Sequence, residues 1–227
     1  STSICFIINH PIKREIFAAT FRDRVVHHFI YNIVSPLAEK MFLHDVYSCR
    51  KEKGTLFGID RAYSKMQSCS ENFTKKTFVL KLDIAGYFMN MNKDKLYSKV
   101  EQLINKNELF LPIQSNLLKY LISQNIYHDP TIDCKFQSQK SEWKNLPKNK
   151  SLFGTATNCG LPIGNLTSQL YGNLYLNEFD HFIKKELKIN HYGRYVDDIY
   201  MFHQDKNKLI AQITNIKRRL LLTEKLQ

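Results

Sequence analysis

The chain has 227 residues, 43% of them hydrophobic, and carries 33 Lys and Arg against 21 Asp and Glu, a formal charge of +12. That is enough apolar material for one domain or two closely joined subdomains, and the basic excess points to a polyanionic partner, nucleic acid or an anionic membrane surface. No apolar run approaches the roughly 18 residues that a membrane-spanning helix needs, and the start Ser1-Thr2-Ser3-Ile4-Cys5-Phe6 lacks the basic region of a signal peptide. Cys5, Cys49, Cys69, Cys134 and Cys159 are scattered without a Cys-x-x-Cys pair. That spacing fits free thiols in a reducing cytosol and argues against a zinc site; the eight histidines show no ligand spacing either.

In chain order, residues 11–45 predict a helical, basic segment. Phe21, Val25, Val26, Phe29, Ile30, Ile33 and Val34 recur on one face, with Arg22, Arg24, His27 and His28 elsewhere. Ser35-Pro36 predicts the cap and first-turn proline of a second helix through Leu37, Met41 and Phe42. Arg50, Lys51 and Lys53, just before Gly54-Thr55, predict a mobile loop that presents cations to phosphates. Helical spacing resumes over 58–69 through Ile59, Ala62, Tyr63 and Met66. Phe78 to Leu82 predicts a buried strand that delivers Asp83 at its end, before a turn carrying Tyr87 and Phe88. Strand ends are where rigid scaffolds place reactive groups. Two helices follow, one from about Lys93 with Leu96, Val100 and Leu103 inward, the other from Pro112 to Gln124. Residues 125–158 are irregular and polar, a long surface excursion or hairpin.

Gly160-Leu161-Pro162-Ile163-Gly164-Asn165 is a turn leading into a helix with Leu166, Leu170, Leu174, Phe179, Phe182 and Ile183 on its apolar side. Small residues there let another backbone, a base or a sugar come close, and the helix start offers N–H groups to anions. Next come aromatic and β-branched residues around Asp197-Asp198, which predict two short strands with the turn at the acidic pair. Two like charges at a hairpin tip repel, and a hard divalent cation is the usual compensation; a merely solvated turn is the alternative. A basic amphipathic helix through Leu209, Ile213, Ile216 and Leu220 closes the sequence.

Strand-Asp83 with Tyr87-Phe88, then Leu161-Pro162-Ile163-Gly164-Asn165-Leu166-Thr167-Ser168-Gln169, then Tyr195-Val196-Asp197-Asp198 resembles the reverse transcriptases. The match is nearest to those of diversity-generating retroelements, related to the group II intron enzymes; Lys148 to Phe153 and Arg194 to Asp198 also resemble that family. The resemblance runs from about Arg22 onward. It implies an α+β, right-hand polymerase body of fingers and palm, with an antiparallel palm sheet backed by helices and the thumb absent from this chain. Residues 1–227 would form the reverse transcriptase core, with fingers at 1–82 and about 110–160 and palm at 83–109 and 161–227. The implied activity is RNA-directed DNA synthesis that yields error-prone, adenine-mutagenised cDNA by two-metal nucleotidyl transfer.

Within that resemblance Asp83, Asp197 and Asp198 are the catalytic acids at two Mg²⁺ ions, with Mn²⁺ as a substitute: Asp83 and Asp197 ligate them, the Ile84 carbonyl helps, and Asp198 completes the metal site from beside it. Arg50 and Lys53 are expected to clamp the triphosphate. Tyr87, Phe88, Ile163 and Gly164 are expected at the nucleotide, Phe88 as a steric gate against the ribose 2′-hydroxyl. Gln169, Arg22 and Arg24 are expected at template and primer. The implied partners are an RNA template, a DNA or RNA primer, dNTPs, and a basic accessory protein (the accessory variability determinant) or a structured RNA. The implied setting is cytoplasmic, bacterial or phage-encoded, and without a membrane. Alternatives are a group II intron-like or phage-defence reverse transcriptase, or a nucleic-acid-binding module with impaired catalysis. The intact Asp83, Asp197 and Asp198 argue against the last.

Overall fold

Residues 14–18 form a strand rather than the first turns of the helical segment expected over 11–45. In the computed structural model, which describes residues 2–226, β1 (Ser3–Ile8) pairs antiparallel with β2 (Arg14–Ala18) across a cis His10–Pro11 bond. Burial alternates along both strands, with Cys5 and Ile7 inward on one and Glu15 and Phe17 inward on the other. Because one inward residue is a glutamate, the two-residue period is hidden, and 11–18 resembles part of a polar helix.

Two compact units can be described separately: the residues through Lys40 with Gly86–Leu174, and Met41–Ala85 with the residues from Tyr175 on. In the first, α1 (Phe21–Glu39) runs through Pro36 without stopping. Proline in the last turn removes only one backbone donor, and the buried stripe Ile30, Val34, Leu37, Ala38 continues across it. The expected apolar face is thus only half used, since Phe21 is 77% exposed and Val25 54%. These two residues, Phe29, Arg24, His28 and Asn32 line an open surface depression. Packed against α1 are α3 (Lys93–Lys106) and α4 (Ser115–Tyr127). Asn92 caps α3 by accepting from the Lys95 amide at 2.9 Å.

The excursion after α4 is fastened at several points. Its short strand β4 (Cys134–Phe136) adds parallel to β1. Glu15, 1% exposed, accepts from the Trp143 indole at 2.6 Å, the Ser151 hydroxyl at 2.9 Å and the Leu152 amide at 2.6 Å. Phe136 packs on both Trp143 and Phe153, and Phe153 on Phe17. The unit ends along α5 (Leu166–Tyr175), and α6 (Asn177–Lys185) is a separate helix rather than its continuation.

The second unit is built on a three-stranded antiparallel sheet, β3 (Phe78–Leu82), β6 (Asp198–His203) and β5 (His191–Tyr195), in the order β3-β6-β5. β3 is an edge strand, not the buried strand its apolar run suggests, and Val79 is 60% exposed. α2 (Thr55–Cys69) packs on β5 with an unexpected face. Gly58, Lys65 and Cys69 are buried while Ile59 and Tyr63 are exposed. Gly58 lies against the Tyr47 ring, and Lys65 reaches Asp45 at 2.7 Å, so the small and charged side turns inward. α7 (Lys206–Arg218) is capped by Asp205 and continues as a wider helical turn over Arg219–Glu224. Among the described residues, no helix is long and apolar enough to cross a membrane.

Candidate active site

The sheet brings the three acids to one end. Tyr195 pairs with Asp198, so the hairpin turn is Val196-Asp197, one residue earlier than the Asp-Asp turn expected, and Asp198 opens β6. On the other side of β6 the last paired position is Leu82 with Ile199. One residue further, the chains reach Asp83 just past the end of β3 and Asp198 at the start of β6. Asp83 and Asp198 are exposed, Asp197 is half-buried, and Ile84 is buried at 1% exposure. A fourth residue belongs to the group and was not anticipated. Lys81 Nζ lies 3.1 Å from Asp198 Oδ1, an exposed pair. Its signal was present in the sequence, because Lys81 and Asp83 are two apart on a strand and share a face.

Behind the acids, β5 is held by a charged framework. Residues 45–47 run beside it: Arg194 N donates to the Asp45 carbonyl at 2.9 Å, and Tyr47 N donates to the Arg194 carbonyl at 3.0 Å. The Asp45 carboxylate takes Lys65 at 2.7 Å and Arg61 at 3.1 Å. Burial raises its pKa, but hydrogen bonds and charge from Lys65 and Arg61 outweigh burial and hold it below the usual carboxylate range. The Tyr47 hydroxyl bonds Asp45 at 3.1 Å and the Tyr200 hydroxyl at 2.7 Å, and burial pushes the Tyr47 phenol far up. The Tyr200 ring lies directly over Gly193, where a Cβ would meet it at 2.4 Å; only glycine admits this crossing of the two strands.

Arg50 and Lys53 are engaged inside this unit. Arg50 Nη1 donates to the carbonyls of Leu43 at 2.7 Å and Val46 at 2.8 Å, and its guanidinium lies over the Phe42 ring. Lys53 Nζ donates to the His44 carbonyl and lies over Phe57. Both cations therefore fasten the 42–57 segment rather than standing out from a free loop.

The residues expected at the nucleotide lie in the first unit, around the 160–165 turn. Leu161 N donates to the Phe88 carbonyl at 2.9 Å, Gly160 N to the Met91 carbonyl at 3.0 Å, and Phe17 N to the Ile163 carbonyl at 2.9 Å. Gly164 has φ +121°, and a Cβ there would come within 2.8 Å of Ile16 and 3.1 Å of the Phe17 carbonyl, so both conformation and space require glycine. Phe88 and Ile163 are half-buried against the cluster of Cys5, Phe17, Met89 and Leu152. Tyr87 faces the core: it is 2% exposed, with its hydroxyl donating to the Gly172 carbonyl at 2.5 Å. Gln169, Arg22 and Arg24 are exposed.

Residues 13–224 match the family model described as reverse transcriptase (RNA-dependent DNA polymerase). The chain belongs to the reverse transcriptase family. Its α+β fold is that of the fingers and palm in solved telomerases. Apo telomerase from Candida tropicalis, truncated from its C-terminal domain, superposes with a TM-score of 0.62 at 11% identity, over 99% of this chain and 48% of that one. Telomerase from Candida albicans in complex with a TWJ fragment of telomeric RNA gives 0.64 at 13% identity, over 98% and 41%. This chain thus spans less than half the length of those telomerases. A search of curated proteins returned no significant match.

Reverse transcriptase domains are generally dependent on divalent metal. The donor chemistry here fits a hard cation, with carboxylate oxygens and a backbone carbonyl at one sheet end. As they stand, however, no three His, Cys, Asp or Glu side chains among the described residues form a cluster that could hold a metal, and Asp198 is turned to Lys81.

Proposed function

We propose that this chain is the polymerising core of an RNA-directed DNA polymerase of the diversity-generating type. The observation that carries it is the placement of Asp83 and Asp197-Asp198 at the same end of the β3-β6-β5 sheet, in a chain of the reverse transcriptase family. Asp83 and Asp197 would hold Mg²⁺ or Mn²⁺ with the Ile84 carbonyl. When bound, such ions neutralise charge on the attacking and leaving oxygens of nucleotidyl transfer. Asp198, paired with Lys81, sets the charge beside them. The RNA named with the Candida albicans telomerase supports an RNA template for this chain, as does its formal charge of +12.

Phe88 is the proposed steric gate, with its ring over the side of Gly172 that lacks a Cβ and next to the Tyr87 ring. Gly164 and Ile163 are proposed at the nucleotide, while Gln169, Arg22 and Arg24 are proposed to meet template and primer. Arg50 and Lys53 are the proposed triphosphate clamp, a role that requires them to share or release their carbonyl partners. The fingers, at 1–82 and about 110–160, and the palm, at 83–109 and 161–227, are a division by nucleic-acid contact rather than by compactness. Ile163 supports the mutagenic reading, because it offers the incoming base pair shape and no hydrogen bond. A basic accessory protein or a structured RNA completes the grip on template and primer.

The test is primer extension on an RNA template with dNTPs and Mg²⁺, with and without that accessory protein, followed by sequencing of the cDNA. Extension that is lost in Asp197→Ala, with errors concentrated opposite template adenines, is the expected result. Extension with an even error spectrum favours the group II intron-like or phage-defence alternative. Template binding with no extension under any condition leaves only the impaired module.

A further inference from the structure

Arg194 is the largest side chain that the described residues bury completely, at 0% exposure, and it sits in a strand three residues before Asp197. Burying a guanidinium costs several kcal/mol unless it is well paired. Its pairing accounts for only part of it. Asp180 on α6, also at 0%, accepts from Arg194 Nε at 2.7 Å and from Nη2 at 2.7 Å, and the Tyr192 hydroxyl donates to the same carboxylate. The remaining arm, Nη1, donates to the carbonyl of Val196 at 2.8 Å.

That carbonyl belongs to the peptide plane whose nitrogen is Asp197, so fixing it fixes the direction in which Asp197 leaves the turn. The turn needs holding. Val196 has φ +56°, a left-handed conformation that is a true outlier for a β-branched residue and persists only where surroundings enforce it. The Arg194 backbone is itself clamped to residues 45–47 on the open edge of β5. The guanidinium therefore springs from a fixed strand, is aimed by Asp180, and ends on the strained turn.

We infer that Arg194, oriented by Asp180, is a positioning residue that holds the Val196-Asp197 peptide in its strained form and so aims the Asp197 carboxylate for catalysis. This rests on the polymerase function proposed above. Removing Arg194 alone strands a buried carboxylate, so the informative variant is Asp180→Asn with Arg194→Met, which replaces a buried ion pair by groups of similar volume and is compatible with a stable fold. A second variant, Arg194→Lys, keeps a cation facing Asp180 but has no fork to reach Val196.

In steady-state single-nucleotide incorporation, kcat should fall about tenfold or more in both variants, with KM for dNTP little changed, as the loss of one charge-assisted hydrogen bond predicts. Hydrogen–deuterium exchange at the Val196-Asp197-Asp198 amides should accelerate while the rest of the sheet stays protected. Adding Val196→Gly to the Arg194→Lys variant should recover activity, because glycine adopts this φ without a tether. Unchanged exchange and kcat, or no recovery by Val196→Gly in a folded variant, overturns the proposal. If the wild-type chain extends no primer, the polymerase reading fails, and the exchange measurement still decides whether Arg194 holds the turn.

Discussion

Two buried carboxylates, one in each unit, are satisfied in opposite ways. Asp180 faces a buried cation and a tyrosine hydroxyl, and the network ends on the turn that carries Asp197. Glu15 faces three neutral donors, an indole, a hydroxyl and a backbone amide, all supplied by the 140–152 segment. A guanidinium offers several donors in one rigid plane, so the first arrangement fixes direction. Neutral donors on three separate residues fix only that a loop stays down. Aim is spent where an acid must point, and attachment where a surface segment must be kept on its sheet.

The comparison breaks first at Asp180. Asp180→Ala takes from the buried Arg194 the carboxylate that accepts from its Nε and Nη2, and a loss of about 3–5 kcal/mol is expected. Urea unfolding of the full chain should show it as a large drop in midpoint, and a shift that is hard to detect would mean that water reaches the pair. Glu15→Gln should cost less, about 1–3 kcal/mol, because the amide nitrogen faces a donor where an oxygen accepted one. Limited proteolysis should then cut first within residues 140–152, and cutting elsewhere would mean that Glu15 does not hold that segment.

Ile163→Gln tests the apolar side of the same contrast. A polar restraint next to the base pair should lower errors opposite template adenines by roughly tenfold, with little effect on stability. Equal error spectra from the parent and the variant on one template would remove Ile163 from the account of fidelity.

The smallest expected effect is on pH. Burial lowers the pKa of His27, partly opposed by Asp23, while His128 and His28 lower it further. Its Nδ1 sits 2.6 Å from the Thr167 hydroxyl. A histidine whose folded pKa is depressed takes up protons more readily when unfolded. Its contribution to stability is therefore full above the ordinary value of 6.5 and is lost as pH falls from there toward the depressed folded pKa. Thermal melts at a series of pH values should show a decline over that window, and His27→Gln should flatten it. A decline of the same size in the variant would assign it to other groups, Asp45 among them at lower pH.

Much of the acidic end of the sheet was legible because its signals are local. Phe78 to Leu82 followed by Asp83, and the hairpin around Asp197, are short runs in which propensity and turn chemistry agree. The turn itself was misplaced by one residue, since Val196 takes a conformation that its side chain disfavours. The N-terminal strands were hidden by Glu15, and the working face of α2 by Gly58 and Lys65, which read as surface residues until their partners Tyr47 and Asp45 are seen. Arg194 was visible only as part of a motif. Nothing local tells a strand arginine that its carboxylate lies on a helix fourteen residues earlier.

The most direct test of the central claim is single-nucleotide incorporation on an RNA template with a DNA primer, comparing the parent chain with Asp83→Asn and Asp197→Asn and with circular dichroism to verify folding. Losses of more than about a hundredfold in both variants, the scale at which removing one preorganised charge-stabilising group acts, with template affinity retained, are the predicted result. Incorporation within about tenfold of the parent in both folded variants would contradict the assignment of these two carboxylates to the chemistry.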